Sequence, residues 1–492
     1  MLRDFDVVVI GAGNAGLTAA ATLQRAGLRT LLVERHNIPG GTGTSFRRGR
    51  FEFEVALHQL SGVGEAGSPG PLYSALDSLG VADQLTFVRE RELYRSVVIG
   101  SHDVTVPADW AGATDALDAA FPGNRSDIER LFDLIRRVGI GHAAAVRGAR
   151  AETISPDLFS YGLRTLSEVL HEYIRDPRLR HVLAVYWTYM GQPPSTLAFQ
   201  DWALTMLAYF EFKPAHIVGG SQAMSAAILD AFLAAGGHVR FHSAVVEILT
   251  DAQGVAGVRL DDGTLVTAND VVSNASLPTT LEMLDDPPSA LRNDLGSRRL
   301  GVSAVVLYMG LNATPAELGF TTSTNFIGHD LDEDVVFADW QTLDAVRNVC
   351  VTCYDVEPIG FSPAGASHIS VLTLPYSSAW SQVAPQDYHR TKFAYAESML
   401  DVLESATPGL RDAIEEVDVA TPITMARYLG HPGGSIYGYQ QDRTDSWLFH
   451  QTERHTHIPG LHVAGTWSGI CGFEPALEAG IRVARRLIRN RV

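Results

Sequence analysis

The succession Asp6-Val7-Val8-Val9-Ile10, Gly11-Ala12-Gly13-Asn14-Ala15-Gly16, Leu17-Thr18-Ala19-Ala20-Ala21-Thr22-Leu23, Gly27 and Thr30-Leu31-Leu32-Val33-Glu34 constrains the fold more than any other part of the chain. A short β-branched run led by an acid reads as a buried parallel strand. A glycine-rich turn follows at once, then a helix pattern that Gly27 ends, then a second strand closing on an acid. Gly11 permits the tight turn, Gly13 lets backbone approach a pyrophosphate, and Gly16 lets helix and strand pack closely. The helix start, with Asn14 and Ala15 in it, offers free N–H groups and positive dipole to phosphates. Glu34 is placed to accept hydrogen bonds from a ribose 2′-OH and to repel a 2′-phosphate. Strand, turn, helix, strand and acid in this order predict a dinucleotide-binding α/β domain.

A second GxGxxG, Gly62-Val63-Gly64-Glu65-Ala66-Gly67, lacks that setting. Ser68-Pro69-Gly70-Pro71 stands where its helix should begin, and no acid-terminated strand completes a unit. It reads as a loop, which leaves one dinucleotide site. At about 150 residues per domain, 492 residues allow roughly two to four domains with a sizeable core. Lys+Arg 38 against Asp+Glu 56 gives a net charge of -18, which argues against nucleic acid and electrostatic capture by anionic lipid. A small amphipathic membrane contact would not show in that number. Three cysteines make no disulfide framework. Acids stand at Asp4 and Asp6 where a signal peptide would be basic, and the uncharged stretch 358–386 is broken by Pro363, Pro375 and Pro385. Neither a targeting segment nor a membrane span is read, and the expected location is the cytoplasm.

After Glu34 come Arg35-His36-Asn37-Ile38-Pro39-Gly40-Gly41-Thr42-Gly43-Thr44, then Phe51-Glu52-Phe53-Glu54-Val55-Ala56-Leu57-His58. Here the chain resembles the flavin-binding amine oxidase and phytoene desaturase superfamily, most closely its retinol saturase, carotenoid isomerase and bacterial phytoene-desaturase-like branch. The resemblance implies FAD, wrapped from both sides, with Arg35, Gly40, Gly41 and Thr42 joining Gly11, Gly13, Asn14, Ala15, Gly16 and Glu34 around it. Two later blocks are similar to the family. Val218-Gly219-Gly220-Ser221-Gln222-Ala223-Met224 leads by way of a helix to Val245-Val246 and Asp270-Val271-Val272-Ser273-Asn274-Ala275. There the residue matching Val245 or Val246 is implied to meet the adenine through its backbone. Leu461-His462-Val463-Ala464-Gly465-Thr466-Trp467 and Cys471-Gly472-Phe473-Glu474-Pro475-Ala476-Leu477 resemble the C-terminal motif. They imply Gly465 and Thr466 beside the ribityl-phosphate, and Phe473, Glu474 and Ala476 in a helix start aimed at the flavin. Such a start suits the negative N1 and C2 carbonyl of reduced flavin. Thr466 departs from the acid many members carry there.

The fold class implied is α/β, with a discontinuous Rossmann-like FAD-binding domain of the amine-oxidase type over 1–75, 216–290 and 426–492. An inserted mixed-sheet and helical substrate domain takes 76–215 and 291–425. In the insertion Ser126-Asp127-Ile128-Glu129 reads as a capping box. Leu166 to Met190 reads as helix broken near Pro177, and Ala304–Tyr308, Val349–Tyr354 and His368–Leu374 as strands.

Aromatic residues crowd Val185–Met190 and Trp202–Phe212. They read as core packing, as the wall of an apolar tunnel with Trp187 and Tyr189 touching substrate, or as a membrane contact. Tyr437 and Trp467 are further substrate-contact candidates. The resemblance sets His58 beside the isoalloxazine, where it positions substrate, moves a proton, bonds the flavin or is structural. His450, His455 and His457 lack ligand geometry, so no metal is expected. Cys350-Val351-Thr352-Cys353, inside an apolar strand, reads as core rather than as a redox pair.

The resemblance implies an FAD-dependent oxidoreductase working on carbon–carbon bonds of a long apolar polyene or isoprenoid-like molecule. Hydride would pass between substrate carbon and flavin N5, with desaturation and saturation equally open. A reduced-flavin cis–trans isomerase or polyene cyclase, an amine oxidase, and a flavin-free lipid carrier like the Rab GDP-dissociation inhibitors are the alternatives.

Overall fold

Seven strands around the first glycine turn form a sheet that carries the nucleotide-type core. The computed structural model describes residues 3–146, 148–446, 456–469 and 471–491. Across the sheet the order is His238–Arg240, Thr30–Val33, Phe5–Ile10, Leu265–Ser273, Gly254–Leu260 and Val245–Asp251. The first four are mutually parallel, and the inner Thr30–Val33 and Val7–Ile10 are buried on both faces, as is usual for such strands. Leu265–Ser273 does double duty: its start pairs antiparallel with Gly254–Leu260, and its end takes Leu461–Val463 in parallel. Three distant parts of the chain thus meet at the C-terminal ends of adjacent parallel strands, where open α/β sheets bind ligands.

Helices Asn14–Arg25, Gly220–Ala234 and Phe473–Arg489 cover one face of this sheet through Leu17, Ala20, Ile228, Phe232, Leu477 and Val483. The helix Pro71–Ser78 and the turn after it belong to the same core, through Leu72, Leu76, Leu79 and Val81. The short strand Phe87–Arg89 follows them and pairs with Ala215–Ile217.

A second seven-stranded sheet runs in the order Ile414–Ala420, Val305–Leu311, Ser367–Thr373, Asn348–Cys353, Thr324–Gly328, Glu92–Val98, His102–Pro107. Its pairs are antiparallel except Thr324–Gly328 with Glu92–Val98. Alternation splits each strand between two cores: Val306 and Tyr308 face the helical part, and Val305, Leu307 and Met309 face the helix Tyr388–Ala406. Among the described residues the helical part has seven α-helices between Trp110 and Phe212. Trp202, Met206 and Phe210 of the run Trp202–Phe212 are core there. The same holds for Val185, Tyr186 and Trp187.

The long helix begins at Arg125, so Ser126 lies inside its first turn instead of capping it. Asp118 does the capping from the preceding helix, its Oδ1 accepting from the N–H groups of Gly123, Asn124 and Arg125. A capping box does form forty residues on, between Thr165 and Glu168. The break near Pro177 is real, since Pro177–Ala184 starts a new helix capped by Asp176. No helix among the described residues is long and apolar enough to cross a membrane.

Candidate functional site: a dinucleotide cradle beside an aromatic chamber

Phe5–Ile10 ends at Gly11, whose φ of 88° turns the chain into the first helix. A side chain on Gly16 would overlap the Gly11 carbonyl oxygen, so the helix start lies hard against the turn. The second glycine turn lies against the first: Gly40 N–H donates to Ala12 O at 2.7 Å, and Gly13 bridges to Gly40. Gly41 Cα faces Gly13 Cα across the same gap. Thr42 is half-buried at its edge. No acid occupies the first turn of the Asn14–Arg25 helix, which leaves its N–H groups and dipole for an anion.

Glu34, 7% exposed, is fixed by two backbone donors: Ala12 N–H reaches Oε2 at 2.7 Å and His36 N–H reaches Oε1 at 2.8 Å. Each oxygen keeps a lone pair for a ribose hydroxyl. Arg35 turns outward and ties this corner to the segment before the last cofactor block, donating to the carbonyls of Arg427 and Tyr428. At the sheet's far edge the register slips between Val245↔Leu260 and Glu247↔Arg259, so Val246 sits in a bulge with its backbone outside the ladder. Its side chain is exposed while that of Val245 packs inward, which leaves the Val246 backbone as the group free to meet a base.

Asn274, absent from the candidates above, stands at the centre. Its N–H donates to Ile10 O at 2.8 Å, and its side chain touches the Cα faces of Gly11, Gly13 and Gly465. The only signal for it in the sequence is its place just after the strand Leu265–Ser273. Gly465 has φ 109°, and Thr466–Ser468 then makes a single turn. Thr466 borders a surface recess with Trp467, Tyr439, Gln441 and Arg298. Trp467 is 5% exposed, edge-on to Tyr439 and His431, and is thereby a packing residue of that loop.

The last helix reaches the cradle by crossing the first. Gly480 lies directly on the Ala15 carbonyl, and Thr18 Oγ1 donates to Leu477 O at 2.8 Å. Phe473 packs into the sheet's core, Ala476 is buried, and the Glu474 carboxyl lies against Gly62 in the second glycine-rich loop. Burial, with Glu478 nearby, pushes Glu474 up to about 8.

Beside the cradle, Tyr189, Tyr437, Cys350, Cys471 and Glu474 gather around Tyr209 and form the wall of a candidate chamber. Each of them, like His58, is half-buried and strongly desolvated. Tyr189 packs against Tyr186 and Phe326. The Tyr437 phenol lies within electrostatic reach of Cys471, Cys350 and Tyr209. Desolvation pushes His58 down to about 4 and both Cys350 and Cys471 up to about 12. Trp187, by contrast, is 2% exposed and stacked on Trp340 at 4.7 Å, a core pair.

His58 Nδ1 lies 3.2 Å from Tyr354 Oη, which also meets Leu57 O at 3.1 Å. Tyr354 stacks flat on His368 at 4.3 Å. Glu54 sets this segment: its carboxylate accepts from Ser221 N–H (2.8 Å), Ser221 Oγ (2.6 Å) and Leu57 N–H (3.2 Å). Neither Tyr354 nor Glu54 stood out in the sequence, because each depends on a partner far along the chain. Cys350 faces the helical core and Cys353 the opposite one, so the two thiols point apart. His450 and His455 lie outside the described residues, and among those described no three His, Cys, Asp or Glu gather as a metal site.

FAD fits these groups. The buried Asn14 Oδ1 has no hydrogen-bond partner and lies against Gly43, between the two glycine turns. The same turns, kept bare of side chains, leave room for phosphates. A model of the family described as flavin containing amine oxidoreductase matches residues 14–488. The chain belongs to this family. Its cofactor is FAD, and the two glycine turns, Glu34, the Val246 bulge and the start of the last helix are the groups that would hold it.

Curated relatives of this flavin-containing amine oxidoreductase include the all-trans-retinol 13,14-reductase of Danio rerio, 26% identical over 97% of this chain and 85% of that protein. The chloroplastic prolycopene isomerase of Daucus carota is 20% identical over 94% of this chain and 76% of its own. Among solved structures, putrescine oxidase bound to putrescine shares the fold with a TM-score of 0.68 at 16% identity, covering 99% of each chain.

Proposed function

We propose that this flavin-dependent oxidoreductase saturates a carbon–carbon double bond of a long apolar polyene or isoprenoid-like molecule. The chamber carries the reading. The titratable groups named as facing it are held uncharged at pH 7 by burial, so it suits a hydrocarbon and offers no counter-charge to an ammonium group. Similarity to a retinol reductase supports the saturating direction.

FAD, when bound, supplies the hydride donor or acceptor. The chain's part is to hold the reacting carbons in place, exclude water and keep a proton at hand. The proton paired with the hydride comes from solvent or a chamber residue; His58, lowered to about 4 by burial, is neutral at pH 7 and serves as a hydrogen-bonding group. Tyr354 is the positioning residue that fixes the ring. The prolycopene isomerase relative favours a second reading, cis–trans isomerisation without net redox change.

The test is anaerobic mixing of holoprotein with all-trans-retinol and with prolycopene, followed by flavin absorbance and product analysis. Reoxidation of chemically reduced flavin with loss of one double bond supports saturation. Geometry change from reduced flavin at constant absorbance supports the second reading. Bleaching of oxidised flavin means desaturation, and reaction with putrescine but with no polyene would overturn the polyene reading.

A further inference from the structure

We propose that Glu90 and His216 form a neutral pair sharing one proton, and that this pair is the store from which the saturation step draws its proton. Glu90 follows the strand Phe87–Arg89, and His216 is the centre of Ala215–Ile217, its antiparallel partner. That pairing sets Glu90 Oε1 3.5 Å from His216 Nε2, with the two side chains 1% and 2% exposed. Neither atom has another hydrogen-bond partner among the described residues, so each is left to the other.

Surroundings decide the protonation state. A buried ion pair repays its desolvation only where further hydrogen bonds satisfy both charges. Glu90 Oε2 instead has two neutral donors, Gln59 Nε2 at 3.1 Å and Thr324 Oγ1 at 3.4 Å. Burial, and then the Glu357 carboxylate, push Glu90 well above its ordinary range. Burial, with His368 and His58 behind it, pushes His216 down to about 3. At pH 7 an acid thus faces a bare imidazole nitrogen with one proton between them. A buried acid that keeps its proton at neutral pH is what a proton source requires.

The pair stands one side chain behind the site. The His216 ring lies 5.4 Å from that of Tyr354, whose Oη meets His58 Nδ1 at 3.2 Å. His58 is within electrostatic reach of His216, and Tyr189 and Tyr209 of the candidate chamber are within reach of Glu90. Gln59, the neighbour of His58, donates to Glu90 and accepts from Tyr186 Oη at 2.7 Å. On the other side of Glu90 stands Glu357, half-buried, bonded to Ser323 and facing Arg91. Saturation adds a hydride to one carbon of the double bond and a proton to the other. The hydride's electron pair comes from reduced flavin. The proton passes from Glu90 by way of His216 and His58, since a neutral imidazole accepts at one nitrogen as it releases from the other, and Glu90 regains a proton from solvent. This delivery rests on the polyene reading; the shared proton does not.

Infrared difference spectra of holoprotein, wild type minus Glu90→Gln, test the shared proton without substrate. A protonated-carboxyl C=O band at pH 7 is expected in wild type and absent from the variant. It should shift in D2O, because a store refills from solvent, and move in His216→Phe, because its partner is gone. Flavin content and melting temperature of Glu90→Gln should match wild type, as glutamine is neutral and close in shape to the protonated acid. If His216→Phe melts early, His216→Asn repeats the test. An ionised Glu90, a band indifferent to D2O, or a band unmoved in the histidine variant overturns the proposal. Single-turnover reoxidation of chemically reduced flavin by saturating all-trans-retinol then tests delivery. Glu90→Gln is expected to slow it roughly tenfold or more, and to lose the fall in rate that wild type shows as alkaline pH removes the Glu90 proton. Equal rates and pH profiles overturn delivery. If no polyene reoxidises the flavin of wild type, delivery falls with the polyene reading, while the infrared result decides the shared proton by itself.

Discussion

Gly13 and Gly16 stand three residues apart and differ in what a methyl group would meet. At Gly16 it would overlap the Gly11 carbonyl, which is backbone and cannot yield; at Gly13 it would come 2.6 Å from Asn274 Nδ2, the free end of a side chain. Gly16→Ala is expected to cost about 1–3 kcal/mol and to strip FAD. Gly13→Ala is expected to weaken FAD while leaving stability almost unchanged. Thermal melts and flavin absorbance per chain separate the two, and equal behaviour of both would refute the assignment. Glu54 supplies a second prediction. Burial outweighs its bonds from Ser221, Leu57 and Ala56 and raises it from its ordinary 4.5 to about 7. The folded state therefore binds this proton more tightly than the unfolded one, and the stability so gained is full below about pH 4.5 and lost as pH rises through 7. Relative to Glu54→Gln, wild type should lose about 3 kcal/mol between pH 4.5 and 8, read as a shift in urea midpoint; parallel pH profiles would contradict it. At this scale the glycines and Glu34 were legible because their roles are local to one strand–turn–helix. Asn274, Tyr354 and Glu54 were not, since each acts on residues hundreds of positions away or on another strand's end.

Among the elements, the last helix is placed by its contact with the first. A side chain at Gly480 would overlap Ala15 O and crowd Thr18 Oγ1, so the two helices cannot lie this close with anything larger there. Gly480→Val is expected to push the helices apart, destabilising the protein by roughly 1–3 kcal/mol. Because the start of the last helix is displaced with it, flavin content should fall too. A variant that lost stability but kept full flavin would show that the helix start does not serve the cofactor. Strands of the nucleotide-type sheet were legible, since Val7-Val8-Val9-Ile10 and Leu31-Leu32-Val33 are uniformly apolar and uniformly buried. Thr324–Gly328 and Glu92–Val98 in the second sheet were not, because they bury Thr324, Asn325 and Ser96 at 0–2% exposure and so break the apolar pattern. The cap of Arg125–Val146 was misplaced for a related reason: Asp118 belongs to the preceding helix and reaches across the turn.

Taken whole, the groups assigned to the chamber come from the second sheet, the helical part and the returning C-terminal segment. His58 comes from the segment after Glu54, Tyr189 and Cys350 from the inserted part, and Tyr437, Cys471 and Glu474 from the returning C-terminal segment. No single stretch of sequence contains this wall, which is why Tyr189 and Tyr437 could be named as candidates while the chamber joining them could not be drawn. Its character is collective as well: each group is pushed toward its uncharged form by burial among the others. Glu474 is the member nearest to ionising, with burial and then Glu478 holding it at about 8. At pH 7 it is mostly protonated; above pH 8 it becomes a carboxylate in an otherwise neutral wall. A charge without a partner there disfavours an apolar ligand and draws water inward. KM for a polyene probe such as all-trans-retinol is therefore expected to rise above pH 8, on the order of tenfold for each 1.4 kcal/mol of lost binding. In Glu474→Gln that alkaline rise should vanish, while binding at pH 7 stays close to wild type because both side chains are neutral. An alkaline limb that persists unchanged in Glu474→Gln would assign it to another group and remove Glu474 from the chamber wall.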